Sequence, residues 1–427
     1  MNLRSKVRSY LIAAAVLGVV LVVLITLRLE PMMGISVARF LVDNWLPAAV
    51  LTALLVSLLA VWKLPKLQVR SIEVSGPKES HGLENEARKT LAAVLGGAIL
   101  ICLLLFYVWH SVEVERDRQI SALYLKGVEL IASEKVEVRV GAIYAFDKIA
   151  EDSGKDRGRV VRLLAAFVRE KAPWSGKEYI LDPEEPPKPP DDIQAALTVI
   201  GAWPHTFFGR IERRLDLSGT DLVGADLSGA HLEGVDFTGS HMELADLSGA
   251  ILNGAVLTDA NLRMAKLERA ELEGAKLEGA VLKGAVLRWA ALEGAELFKA
   301  DCEGADFSNA KLKDALLSRA NLRGARLTGA DLEGAYLWMA DLRDAALAGA
   351  SLFNAYLGGA KLGGADLSGA DVAEANFEKA DLRGTKGVTV MQISLAKTLL
   401  GAKLDKELRD LLAMDYHNLF DEPLAVE

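Results

Sequence analysis

Apolar and polar positions follow three different rhythms along this chain, and each rhythm predicts a different kind of element. The first is a set of unbroken apolar runs near the front. Tyr10 to Leu27 holds no charge, Leu46 to Val61 is bracketed by Trp45 and Trp62, and Leu91 to Val108 ends at Tyr107 and Trp109. At 1.5 Å per helical residue each run crosses most of a hydrocarbon core of about 30 Å, and the flanking rings suit its interfaces. They predict membrane spans at about 10–28, 45–62 and 91–109, inside a membrane region of residues 1–112. Arg4, Lys6 and Arg8 precede the first run as they would in a signal peptide, but the run is too long and no small-residue cleavage site follows. The polar residues within the runs are mild (Thr26, Thr52, Ser57, Cys102), so no proton relay or ion path is drawn by one protomer.

The second rhythm places apolar residues at i, i+3 and i+4. It covers Ile120, Leu123, Val128 and Ile131, then Val140, Ile143, Phe146 and Ile149, and predicts an amphipathic helical connector over 113–172. Asp152-Ser153-Gly154 breaks the pattern before a further helix, Val160 to Lys171. Residues 173–190, with Pro183, Pro186, Pro187, Pro189 and Pro190, predict an extended linker, and 191–213 a helix that leads into the next domain. The connector reads either as a sensor or docking module or, more simply, as a spacer that joins the membrane to that domain and covers its first turn.

The third rhythm is strict and has a period of five. Every position ending in 2 or 7 from Leu217 to Leu382 is Leu except Phe237, Met242, Cys302, Phe307, Val372 and Phe377. Every position ending in 0 or 5 from Ala245 to Ala380 is Ala. Neither 3.6 nor 2.0 residues divides five, so a helix or a flat strand would smear the Leu and Ala over all faces. The chain must instead turn once per pentad, with Leu and Ala pointing inward, polar residues outward, and stacked coils satisfying each other's backbone groups about 4.8 Å apart. Ala keeps the inner corners small, and the frequent Gly, Asp and Ser supply turn conformations.

This pattern, as in Ala225-Asp226-Leu227-Ser228-Gly229 and Ala365-Asp366-Leu367-Ser368-Gly369, resembles the pentapeptide-repeat family. The resemblance implies a right-handed quadrilateral β-helix over 214–385, with four pentads per coil, about 8.5 coils and a length of about 40 Å. A C-terminal helical cap is expected over 386–427, with helices at roughly Val390 to Leu400 and Leu404 to Leu412. Leu83 to Leu91, Val136 to Ala145 and Asp192 to Val199 are also similar to stretches of bacterial membrane-anchored members. That likeness implies an inner-membrane protein with two spans before a cytoplasmic repeat domain. Here there are three, and the basic residues around them (Arg4, Lys6 and Arg8 before the first, Lys63, Lys66, Arg70, Lys78, Arg88 and Lys89 before the third) favour a cytoplasmic N-terminus. Three crossings from there place the repeats on the other side, so the two expectations disagree.

Charge and composition narrow the function. The chain carries a net charge of -9, which excludes a basic nucleic-acid binder, so nucleic acid is not an expected partner. Cys102 and Cys302 have no second ligand at metal spacing, His231 and His241 sit two pentads apart, and a filled solenoid offers no pocket. No enzyme, cofactor or metal is therefore expected. Two surface features remain. Phe298, Leu316, Tyr336, Trp338 and Tyr356 recur near 20-residue intervals and predict an apolar strip on one face, for a protein partner or a homo-oligomer, unless the C-terminal helices fold over it. Asp216, Asp221, Asp226, Glu233, Asp236, Glu243 and Asp246 precede the first Lys or Arg of the inner repeats and are a candidate acidic face. Some relatives use acidic rods to imitate DNA and occupy type II topoisomerases. Against that, Asp before the inward Leu is the repeat consensus, and the repeats from Glu212 to Arg383 hold 18 basic and 28 acidic residues. The expected protein is a membrane-anchored, non-catalytic scaffold for protein interaction. The alternatives are an oligomeric effector that permeabilises or remodels the lipid bilayer, and a topoisomerase inhibitor by DNA mimicry.

Overall fold

The computed structural model describes residues 77–421 apart from 178, 180, 183 and 205–213. The spans expected at about 10–28 and 45–62 lie outside the described residues. The chain divides into two compact units, Met1–Gln119 and Ile120–Glu427.

Helix α1, Pro77–Ile131, opens on a proline, which is well placed in a first turn because its missing N–H would have no partner there. It is one unbroken element of 55 residues, whereas the sequence pattern suggests a span at 91–109 followed by a separate connector helix from 113. The reason is local: Ser111-Val112-Glu113-Val114-Glu115 contains neither Gly nor Pro, and Ser111, the one residue of a capping type, donates its hydroxyl back to the Val108 carbonyl at 2.8 Å, so nothing stops the helix. In its first unit Leu100, Ile101, Leu104, Tyr107 and Trp109 are bare. By length and composition, Glu84–Ile131 is the one helix among the described residues able to cross a membrane.

Within the second unit the end of α1 packs on α2, Val136–Asp152, and on α3, Arg157–Lys171, and α4, Asp191–Gly201. The inward stripe is Ile143, Phe146 and Ile149 of α2, Val160, Leu164 and Val168 of α3, and Ile193, Leu197 and Ile200 of α4. Phe146 meets the edge of Tyr124 at 5.4 Å, and a Cβ on Gly127 would lie 2.8 Å from its ring, so glycine lets α1 approach. Arg139 and the buried Asp192 form an ion pair of 2.6 Å that ties α2 to the N-terminus of α4, an end that favours a carboxylate.

The repeats form a solenoid with a register of 20. Asp216 pairs in parallel with Asp236, Asp221 with His241, Asp226 with Asp246 and His231 with Ile251, and the series continues to Asp366 with Lys386. Five residues per side and 20 per coil make each coil four-sided. The pairing is by isolated bridges, with no extended strands among the described residues, because each side keeps only one outward residue between an inward Ala and an inward Leu before the chain turns. Each bridge residue is held on both sides: the Leu222 amide donates to the His241 carbonyl at 2.7 Å and the His241 amide to the Thr220 carbonyl at 2.8 Å. The inward Leu and Ala are buried from end to end. Where Thr220 and Ser240 replace Ala, their hydroxyls donate to the Leu217 and Phe237 carbonyls, so no buried polar group is left unpaired there. All 34 residues at the fourth and ninth positions from Gly219 to Gly384 have positive φ, as the third residue of a type II turn requires.

The C-terminal region differs from the expected pair of long helices. Helix α5 is a single turn, Val390–Ile393, closed by a capping box of Thr389 and Gln392. Residues after it return to the ladder with a register of 22, Asn376 pairing with Thr398 and Asp381 with Lys403. The ladder offers a row of unpaired donors and acceptors that an extended segment satisfies better than a helix could. Helix α6, Lys406–Asp415, and a 3-10 turn, His417–Phe420, follow, with Leu412 and Leu419 buried on the last coil.

Candidate interaction surface

The 20-residue register brings the strip predicted from the sequence onto one side of the solenoid. Leu316 pairs with Tyr336, and Tyr336 with Tyr356, in one column. The two tyrosine rings stack at 4.7 Å with planes 5° apart, a spacing set by the coil repeat. Rings stacked along the rod present their edges outward. Phe298 and Trp338 stand two residues further along the same side, two coils apart; Trp338 is exposed and Phe298 is half-buried. Trp338 lies over Gly358 of the next coil, where a Cβ would approach its ring to 3.2 Å. Gly358 is thus what gives the indole room.

Helices α5 and α6 do not cover the strip: Tyr336 keeps 43% of its surface and Trp338 47%. Two cations flank the rings, Lys299 at 4.9 Å from Phe298 and Arg319 at 5.1 Å from Trp338. Neither has a carboxylate partner among the described residues. The sequence pattern did not single out these cations or Met339, which is 48% exposed beside Trp338. The signal was present: Met339 has φ of 57° at a corner where glycine is preferred, so a large apolar side chain is held there against backbone preference.

The acidic residues expected to share a face do not. Asp216 and Asp236 lie on one side, Asp226 and Asp246 on a second, Asp221 with Glu243 on a third and Glu233 on the fourth. Each pentad rotates the chain by a quarter turn, so consecutive carboxylates point in different directions. Most are also occupied. Asp216, Asp226 and Asp236 accept from the amide and hydroxyl two residues on, Ser218, Ser228 and Thr238. Burial acts to raise the Asp216 carboxyl, but the two Ser218 bonds and Arg169 outweigh it, leaving the group below the usual carboxylate range. Glu243 is buried between His241 and Asn261, which donates to it at 2.6 Å.

The linker is extended, as proline requires, and it lies on the first coil. Pro173 bridges Thr220, the Trp174 ring stacks on His241 at 3.4 Å, and the Tyr179 hydroxyl donates to Asp221 at 2.6 Å. Burial, then the bond to Asp221, pushes the Tyr179 hydroxyl well above its ordinary range. Three sides of the coil that have no predecessor find donors' partners here. The Asp221 amide donates to the Ala172 carbonyl, Asp226 to the Gln194 side chain and His231 to the Gly201 carbonyl.

A solenoid of four-sided, five-residue sides with Leu and Ala inside defines a repeat class. The pentapeptide-repeat profile matches in eight copies, over residues 213–243, 240–279, 260–297, 300–338 and 350–386. HetL, a pentapeptide repeat protein involved in heterocyst differentiation regulation in the cyanobacterium Nostoc sp. strain PCC 7120, is 36% identical over 44% of this chain and 82% of its own, with a TM-score of 0.40. A second pentapeptide repeat protein from Nostoc PCC 7120 is 33% identical over 23% of this chain and 84% of its own, with a TM-score of 0.18. QnrB1, a plasmid-mediated fluoroquinolone resistance protein, is 25% identical over 47% and 97%, with a TM-score of 0.34. No curated protein matches the chain. The chain belongs to the pentapeptide-repeat family.

Proposed function

We propose that this protein is a membrane-anchored, non-catalytic scaffold, with three spans, whose solenoid offers the Leu316, Tyr336, Trp338 and Tyr356 strip to a protein partner. The observation that carries this reading is the strip itself: large apolar side chains over successive coils stay exposed together on one side, whereas Trp289 and Phe353 on other sides stand singly. Apolar groups in that number lose free energy to water unless something covers them, at about 25 cal/mol per Å². The filled core supports a binding rather than a catalytic role, since Leu and Ala side chains are buried along the length of the solenoid and leave its outer surface for contact. The apolar stretch in α1 supports the anchor. Because the acidic residues are spread over four sides and engaged locally, they do not favour a duplex-like surface.

The test is chemical crosslinking in intact cells with the wild-type chain and with Tyr336→Ser plus Trp338→Ser. Both side chains are exposed, so the double variant should keep its circular dichroism and melting. A discrete heterologous adduct that vanishes in the variant is the expected outcome; an adduct that persists at equal yield would assign the contact elsewhere.

A further inference from the structure

The strip lies between two edges of opposite charge. The side that carries Leu316, Tyr336 and Tyr356 ends one way at corners bearing Lys299, Arg319 and Lys379, and the other way at corners bearing Asp314 and Glu374. Arg319 and Asp314 are exposed, sit five residues apart on one coil, and make no ion pair with each other or with another described residue. Both lean toward the following coil. Arg319 stands 5.1 Å from the Trp338 ring, and the Asp314 carboxylate occupies the space over Gly334 that a Cβ there would fill. The two charges therefore stand at the same level of the rod, on opposite edges of the strip.

A face that is basic along one edge and acidic along the other complements itself. A two-fold axis parallel to the rod lays a second copy on this side, parallel and in register, with its acidic edge against the first copy's basic edge. Arg319 then meets Asp314 of the second copy and Lys379 meets Glu374, each twice by symmetry, while the columns of Leu316, Tyr336 and Tyr356 meet along the axis. An antiparallel pair, with the axis across the rod, sets basic edge on basic edge; centred on Tyr336 it opposes Lys299 to Lys379. Parallel rods also begin at the same end, as two chains anchored in one bilayer require. The tract from Lys299 to Lys379 covers four coil steps, about 19 Å. That is short beside the roughly 800 Å² per partner of a stable dimer, so pairing draws on chains being concentrated in the bilayer.

We propose that two copies of this chain pair side by side and in parallel through the strip, with Arg319 of each on Asp314 of the other. Pairing covers Tyr336 and Tyr356, so any other partner must displace the second copy. The inference rests on reading the strip as a contact surface, and it fails separately from the scaffold reading because its charge variants leave the rings in place.

The test uses full-length chains in lipid vesicles, with benzoylphenylalanine in place of Tyr336 and irradiation. The native charges should give a dimer-sized adduct that maps to the tract from Leu316 to Tyr356 of the second copy. Arg319→Asp alone and Asp314→Arg alone should each cut its yield at least about tenfold, because like charges then face each other across the axis. Mixing the two variants should restore the adduct, since every reversed charge then meets its opposite on the other chain. That restoration separates contact between copies from misfolding of either variant. Adducts to lipid alone or to another side of the second copy, single variants that crosslink like the native chain, or a mixture no better than its components would each overturn the pairing.

Discussion

The corner residue sets the terms of this fold. Fourteen of the 34 left-handed corners carry a side chain, among them Trp289 with φ of 62° and Met339 with 57°. Left-handed backbone costs an L-residue about 1–2 kcal/mol, and the coil repays it through bonds above and below that no other conformation would make. Trp289 is 59% exposed and lies on another side from the strip. Trp289→Gly should therefore raise stability by about 1 kcal/mol in chemical denaturation. Where glycine is native the sign reverses. Gly254→Ala, with open space around it, should cost about 1 kcal/mol. Gly224→Ala should cost clearly more, because its Cβ would lie 1.6 Å from the Pro187 carbonyl oxygen and would lift the linker off the coil. Equal losses at the two glycines would show that the linker is not held there.

At the scale of elements, the connector and linker act as a lid on an open ladder. Two titrating groups hold that lid, and they act in opposite pH ranges. Asp216 has a depressed carboxyl, so its contribution is present above the ordinary value of about 4 and is lost as pH falls through the folded value. Tyr179 has a raised hydroxyl, so its contribution is complete below about pH 10 and is lost as pH climbs through the folded value. Hydrogen exchange at the Asp221 and His231 amides, corrected for intrinsic rates, should accelerate at both extremes before the central coils do. Simultaneous acceleration of rod and lid would refute this. Within the connector, Arg139→Ala strands the buried carboxylate of Asp192 and should cost about 3–5 kcal/mol. Adding Asp192→Ala should recover part of that loss, measured as a double-mutant cycle.

For the whole molecule, the parity of the membrane crossings decides which partners can reach the strip. Reporter fusions after Glu427 and after Leu83 address this directly. Our reading with three spans places the two fusion points on opposite sides of the membrane. Activity of both reporters in one compartment would require that α1 does not cross, and would move the search for a partner to the side that Leu83 occupies.

The five-residue period by itself determined the identity of the inward residues and one turn per pentad, because period is a property of spacing along the chain; four pentads per coil, and with them the column that collects Leu316, Tyr336, Trp338 and Tyr356, were implied by the resemblance to the pentapeptide-repeat family and are seen in the 20-residue register. The apolar stretch of α1 was legible for a similar reason, since its length and composition are local properties. Three things were decided only by tertiary structure. What engages Asp216, Asp221 and Asp226 depends on Arg169, Tyr179 and Gln194, which come from distant sequence. The end of the solenoid was read as helix from its Leu and Ala pattern, yet the unpaired donors and acceptors of the last coil drew residues around Thr398 and Lys403 into the ladder instead. And Arg319 gained its meaning only when the 20-residue stacking set it over the Trp338 ring of the next coil, because attraction between a cation and an aromatic face depends on distance in space and not on separation in sequence.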